Sequence, residues 1–388
     1  MIWTLGIVAF AVVIAVTIAV HEAGHYYTAK ALGFRVPQFY VGFGPRILKF
    51  TRNETEFGVR LLPLGGFIQI QDPDLDDEPE VDHSRTDVSR KELRKLQEEK
   101  EFKSSMLPHV DPWKRILIFL AGPAVNIVIG LVVLVGIFWA TPVHQPTTTV
   151  DEASQCGEEV CGAHEAGIEP GDEIVAVNGT EYDDVHAISA TLENSSSADI
   201  TVLREGQEVV FEDVSLVDGK MGVFFNVDHI DRDFGDAVVA TTSLVTTNLQ
   251  ALAELPSRIS ETATIIGGNE RGDDTMVSVY SISMMYGDVA DSDMFWLDKF
   301  RQLVYFTGAL NLGLGLINLL PLMPLDGGRI IIAVMDSLRK AFAKIRKIDY
   351  HPTRMSVVMS LSTVTLSIVV ATMGVVILAD LISPVRLE

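Results

Sequence analysis

The chain has 388 residues, 48% of them apolar, and a formal charge of −22. That length allows two or three domains, and so apolar a composition implies a partly membrane-embedded protein. The acidic balance argues against a nucleic-acid partner, which calls for a basic surface, and two cysteines are too few for a disulfide framework.

Residues 1–20 carry no charge at all, and the apolar pattern over 4–31 is long enough to span a bilayer about 30 Å thick. The run has no basic leader and no small-residue cleavage site follows it, so it reads as a retained first span, within 1–32. Its inner end holds His21-Glu22-Ala23-Gly24-His25, an H-E-x-x-H string. Positions i and i+4 share a helix face, so both imidazoles can reach one zinc ion. Glu22 is then placed as a general base toward water. Ionisable groups are expensive inside a membrane, so three of them there point to function rather than packing.

Residues 33–70 contain short β-type runs punctuated by glycine and proline, which predicts a hairpin-like sheet. At membrane depth such a sheet is tolerated only if protein buries it or it lines a cavity; a purely structural cytoplasmic hairpin is the competing reading. Residues 71–113 are dense in charge of both signs, with helix-forming composition over 89–102, and read as a solvated loop. His83 and His109 there read as ordinary exposed histidines. A second span is expected within 114–141.

The segment that follows is acidic. Ala166-Gly167-Ile168-Glu169-Pro170-Gly171-Asp172 leads into an alternating strand closed by Asn178-Gly179, with further alternation over 200–203 and 208–211. Upstream, Cys156 and Cys161 form either one local bridge or two free thiols. A helix is predicted over 236–255, ending near Pro256, and 267–293 reads as a connector, so 227–300 is expected to be only partly helical. A third span is expected over 301–335 and a fourth over 355–383, with a basic loop at 336–354 between them.

Lysine and arginine placement orients the spans. The 30–115 region carries 15 of them and 329–354 carries seven, whereas 141–299 carries six against 31 acidic residues. Both basic loops are therefore expected in the cytoplasm, and the acidic segment and both termini outside the cell membrane. A catalytic zinc commonly takes three protein ligands, so His21 and His25 need a partner. Asp326 is the one acidic residue between Asp298 and Asp336, and it falls near the inner end of the third span, at a depth similar to that of His21. A helix-end aspartate facing Arg329 is the plainer reading of that residue taken alone.

Several strings recur together in family order: His21 to His25, Gly42-Phe43-Gly44-Pro45, Pro63 to Phe67, Ala121-Gly122-Pro123-Ala124-Val125-Asn126, and Asn318 to Gly328 with its N-x-x-P-x-x-P-L-D-G-G pattern. The string over 166–179 resembles a PDZ domain, assigned to 142–226, a module that captures extended peptides at a sheet edge or serves as a steric filter. The whole chain resembles site-2-protease-type intramembrane zinc metalloproteases of the bacterial regulator-of-sigma-E protease class, in the single-PDZ actinobacterial form. That resemblance implies a polytopic α-helical membrane protein with four transmembrane helices, a membrane-associated β region and one extracytoplasmic PDZ domain. It implies Zn2+ bound by His21, His25 and Asp326, with Glu22 as catalytic base. It also implies that Asn318 and the Gly42, Phe43, Gly44 stretch bind substrate, the β region pairing with an unwound helix. Arg329 departs from the histidine often found after the G-G pair in that class. The expected partners are single-span membrane proteins (anti-sigma-factor-like proteins or signal-peptide remnants), the lipid bilayer and a peptide ligand of the PDZ domain. A membrane metal transporter and a non-enzymatic PDZ scaffold are the rival readings. The first predicts ionisable residues along several spans, whereas the second and fourth have essentially none internally; the second leaves Glu22 without a purpose.

Overall fold

The computed structural model describes residues 2–71, 107, 110–154, 162–193, 195–269, 271, 275–351, 353 and 355–383. Cys156, Cys161, His83, His109 and the expected 89–102 helix lie outside these residues. Two compact units are present, Met1–Ile137 together with Ala237–Glu388, and Phe138–Asp236.

The first unit is built on long apolar helices. Helix α1 (Ile2–Ala31), α2 (Pro112–Ala140) and α10 (Met355–Ile382) are each long and apolar enough to cross a membrane. Their outward faces carry Leu5, Val8, Val12 and Val16 on α1, Val128 and Val132 on α2, and Val364 and Ile368 on α10, all exposed. In water such a surface would be an association hazard, whereas in lipid it is the expected one.

Between α1 and α2 lie two long antiparallel strands, β1 (Arg35–Arg52) and β2 (Thr55–Gln71), joined by a tight turn at Asn53 and Glu54. Each strand bends in its middle, so the pair folds into four rows. The second half of β1 pairs with the first half of β2 (Phe50 opposite Phe57). That half of β2 also pairs with the first half of β1 (Tyr40 opposite Gly58). The first half of β1 finally pairs with the second half of β2 (Tyr40 opposite Phe67). The bend in β1 falls at Gly42 and Gly44, whose φ values of 90° and 87° lie where residues with a Cβ are strained. This geometry leaves 66–71 as a terminal row of the sheet.

The second unit is a six-stranded sheet with two short helices: β3 (Val143–Ala153), α3 (Gly162–Ala166), β4 (Glu173–Val177), β5 (Thr180–Glu181), α4 (Val185–Leu192), β6 (Ser197–Arg204), β7 (Gln207–Ser215) and β8 (Val223–Ile230). The sheet order is β7-β6-β4-β3-β8, with β5 pairing β4. Inward-facing Val150, Ile174, Val177, Ile200, Val202 and Val214 close its core with Ile188 and Leu192 of α4. Asp184 caps α4 by accepting from the Ala187 N–H. Arg204 donates to both oxygens of buried Asp172 at 2.7 Å, and that guanidinium holds the Asp172 carboxyl below the usual carboxylate range.

The remaining helices correct four sequence expectations. Helix α5 (Phe234–Ala253) does not end the helical stretch at Pro256, because α6 (Leu255–Ile266) starts there; proline is tolerated in a first turn, where no N–H is needed. The expected connector over 267–293 contains α7 (Val279–Asp291), which packs on α1. Gly6 lies against the Tyr286 backbone, the Phe10 and Tyr286 rings are 5.0 Å apart, and Trp3 donates to Asp288 at 3.1 Å. Buried Asp380 of α10 anchors the start of α7, taking the Ser278 N–H at 2.8 Å and pairing with Arg271 at 2.8 Å.

The third correction concerns the span expected over 301–335, interrupted by Pro321 and Pro324 and with Asp326 near its inner end. It is two helices, α8 (Trp296–Asn318) and α9 (Asp326–Arg346), separated by a turn rich in proline with a cis Met323–Pro324 bond. Asp326 therefore opens α9 rather than closing α8. The basic segment over 336–354 is likewise helical as far as Arg346. Arg115 of α2 and Asp336 of α9 form a fully buried pair at 2.8 Å, and Asp336 also accepts from the N–H and hydroxyl of Thr353.

Candidate metal and catalytic centre

Helix α1 turns His21, Glu22, Gly24 and His25 into the protein. Gly24 allows the close approach: a Cβ there would lie 2.6 Å from the Ala121 carbonyl oxygen of α2. The His21 and His25 rings meet edge to face, with centroids 4.8 Å apart. On α2, Gly122 makes room for His25, since a Cβ would fall 2.3 Å from its Nε2.

The third side chain arrives from α9. Gly327 and Gly328 let its first turn lie on the 319–323 backbone, where a Cβ on Gly327 would come within 2.3 Å of the Leu319 and Leu320 carbonyl oxygens. That contact carries Asp326 to the histidines. Its Oδ2 lies 3.0 Å from His21 Nε2 and 3.2 Å from His25 Nε2, and the two Nε2 atoms are 3.2 Å apart. All three side chains are buried, and among the described residues they form the one such cluster able to hold a metal.

The hydrogen bonding leaves His25 able to ligate. His25 Nδ1–H donates to the Ile118 carbonyl at 2.7 Å, so in the neutral ring Nε2 is the nitrogen with a lone pair. That nitrogen, His21 Nε2 and an Asp326 oxygen converge on one point. Two imidazole nitrogens and one carboxylate oxygen are a recognised catalytic donor set for zinc, leaving a position for water.

These residues open onto a cavity of about 620 Å³, lined also by Glu22, Phe43, Asn318, Arg329 and the terminal row of the sheet. Glu22 lies under Gly66, where a Cβ would sit 2.7 Å from its Cγ. Arg329 stands 3.8 Å from Asp326 Oδ1, with its guanidinium over the Phe119 ring.

Of the expected substrate-binding residues, Asn318 and Phe43 line the cavity. The Asn318 side-chain amide donates to Leu314 on its own helix at 3.0 Å. Gly42 and Gly44 do not line the cavity: they form the bend in β1, and that bend delivers 65–70 to the cavity instead. Sequence reasoning passed over Gly66, Asn126 and Arg329 as members of the site, while Gly122 was read as a small residue allowing close approach around the metal. The A-G-P-A-V-N string over 121–126 was the available signal for Asn126.

The profile of peptidase family M50 matches residues 9–362. Zinc metalloprotease Rip1 of Mycobacterium tuberculosis (strain H37Rv) is 32% identical over the full length of both chains. The chain belongs to peptidase family M50. Rip1 of Mycolicibacterium smegmatis is 30% identical, again over both full lengths. Zinc metalloprotease RasP of Geobacillus kaustophilus is 26% identical over 86% of this chain and 90% of its own. With its long apolar helices and β region, this peptidase is a multi-pass membrane metalloprotease. The transporter and scaffold readings fall away.

Proposed function

We propose that one zinc ion, the cofactor of this protease, is held by His21, His25 and Asp326, and that Glu22 serves as the general base for peptide hydrolysis inside the membrane. The observation supporting this reading is the meeting of three buried donor atoms within 3.0–3.2 Å beside Glu22 in one cavity. Zinc at such a site polarises a carbonyl and lowers the pKa of water from about 16 to about 7. Glu22 takes the proton from the attacking water and delivers it to the leaving amine. Helix α1 positions that carboxylate, and the neighbouring aliphatic and aromatic walls restrict bulk water.

The substrate is a single-span membrane protein whose helix unwinds at the site, of the anti-sigma-factor-like or signal-peptide-remnant kind. Unwinding in lipid frees backbone groups, each expensive to leave unpaired. The row over 66–71 is the sheet edge that takes them up by strand addition. Asn318 holds the substrate backbone from the opposite side of the cavity, and Phe43 packs against its side chains.

Four spans fit this reading. Helix α8 has 23 residues, about 35 Å at 1.5 Å per residue, and joins α1, α2 and α10 as the fourth. The basic segments then face the cytoplasm, and both termini and the 142–226 PDZ domain lie outside. That domain binds a peptide or screens partners by size.

The test is incubation of wild type and Glu22→Gln with single-span membrane proteins in bilayers. Wild type cuts within the span, a chelator stops it, and Glu22→Gln retains zinc without cutting. A cut that survives in Glu22→Gln, or one confined to soluble segments, overturns the assignment.

A further inference from the structure

The His25 ring has an evident orienter in the Ile118 carbonyl, whereas among the described residues His21 has no such backbone partner. Among the described residues, the one group beside His21 Nδ1 is the carboxamide of Asn126 on α2, with Nδ2 at 3.4 Å. Asn126 is wholly buried, and its Oδ1 has no hydrogen-bond partner.

Chemistry dictates what this pair must do. For His21 Nε2 to present a lone pair toward the point shared with His25 and Asp326, its Nδ1 must hold the proton. A buried N–H needs an acceptor. A carboxamide NH2 cannot accept, but its oxygen can. The two ends of the amide are nearly the same size, so a half-turn about the Cβ–Cγ axis exchanges them with little repacking. The idle oxygen is then the acceptor that the imidazole requires.

We propose that Asn126 is the positioning residue of His21: its Oδ1 accepts from Nδ1–H, fixing the tautomer and ring angle in which Nε2 can ligate. Asn126 thus does for His21 what the Ile118 carbonyl does for His25, and both orienters sit on one helix, α2. The two histidines of α1 are set from the same neighbouring element, so their spacing depends on how α1 and α2 pack at Gly24 and Gly122. This inference rests on the ligand assignment proposed above.

The experiment measures zinc affinity of full-length protein in detergent micelles by competition with a chromogenic chelator. The variants are Asn126→Leu, Asn126→Ala, Asn126→Asp and a His21→Ala control. Removing an orienting partner costs about 10- to 100-fold in metal affinity, so the leucine and alanine variants weaken zinc by that factor. Asn126→Asp, which always offers an acceptor, holds zinc within a few-fold of wild type. The d–d absorption of bound cobalt(II) shifts in the leucine variant and stays close to wild type in the aspartate one. Wild-type affinity in both Asn126→Leu and Asn126→Ala overturns the proposal. So does an equal loss in Asn126→Asp, which would mean that packing or the NH2 group matters instead. Unchanged affinity in His21→Ala marks failure of the ligand assignment itself, a result distinct from either.

Discussion

Replacing Gly122 with alanine isolates how tightly the site depends on helix packing. Taken as local chemistry the change should help, since alanine is favoured over glycine in a helix by up to about 1 kcal/mol. Here the added Cβ would stand 2.3 Å from His25 Nε2 and 2.6 Å from its Cε1, against ordinary contact beginning at 3.4 Å. The ring or the helix must therefore yield by about 1.1 Å, the difference between those two distances. His25 cannot swing freely, because its Nδ1–H is tied to the Ile118 carbonyl one turn earlier on the same helix. A zinc–nitrogen bond near 2.0 Å tolerates displacements of about 0.2 Å. Overpacking of this kind costs about 1–3 kcal/mol, equivalent to about a 5- to 150-fold loss of zinc affinity. Chelator competition on the purified variant reads that loss, and a thermal melt of the zinc-free protein reads the part of the same strain that the fold takes up. Wild-type affinity in Gly122→Ala would refute the reasoning, because it would mean that His25 is not held against α2.

Gly66→Ala should leave zinc content unchanged and slow peptide cleavage by at least tenfold, since its Cβ meets Glu22 Cγ at 2.7 Å; single-turnover kinetics check this. Arg115→Met strips the partner from buried Asp336 and should destabilise the first unit by about 3–5 kcal/mol, read as a lowered denaturation midpoint in detergent. The Asp172–Arg204 pair gives the second unit an acid limit. Because that carboxyl is held below its ordinary value, its contribution is complete above about pH 4 and is lost as pH falls through the depressed folded value. Hydrogen exchange of the β4 amides, corrected for intrinsic rate, should rise at low pH in wild type and be high at every pH in Asp172→Asn.

The long apolar helices were legible because hydropathy and the absence of charge are properties of the chain itself, and bilayer thickness supplies the ruler. The His21, Glu22, His25 set was equally legible, since helical periodicity alone puts positions four apart on one face. Asp326 was legible by elimination, being the one carboxylate in its stretch. Its setting was not: Pro321 and Pro324 announced an interruption, but not that the chain restarts there as a helix opened by Asp326. Whether that backbone continues as one span or restarts as α9 depends on Gly327 and Gly328 lying against 319–323, a contact made only in the folded chain. The same holds for α7, whose sequence reads as a connector until Gly6, Phe10 and Trp3 of α1 supply its packing surface.

Residue type and short-range spacing were enough to single out the residues proposed for the chemistry and the segments apolar enough for lipid. Tertiary structure decided what faces them: the Ile118 carbonyl and Asn126 behind the two imidazoles, and the 66–71 row, rather than Gly42 and Gly44, beside Glu22. Those neighbours come from helices and strands distant in the chain. No local pattern encodes a distance of closest approach that glycines on two packed elements set together.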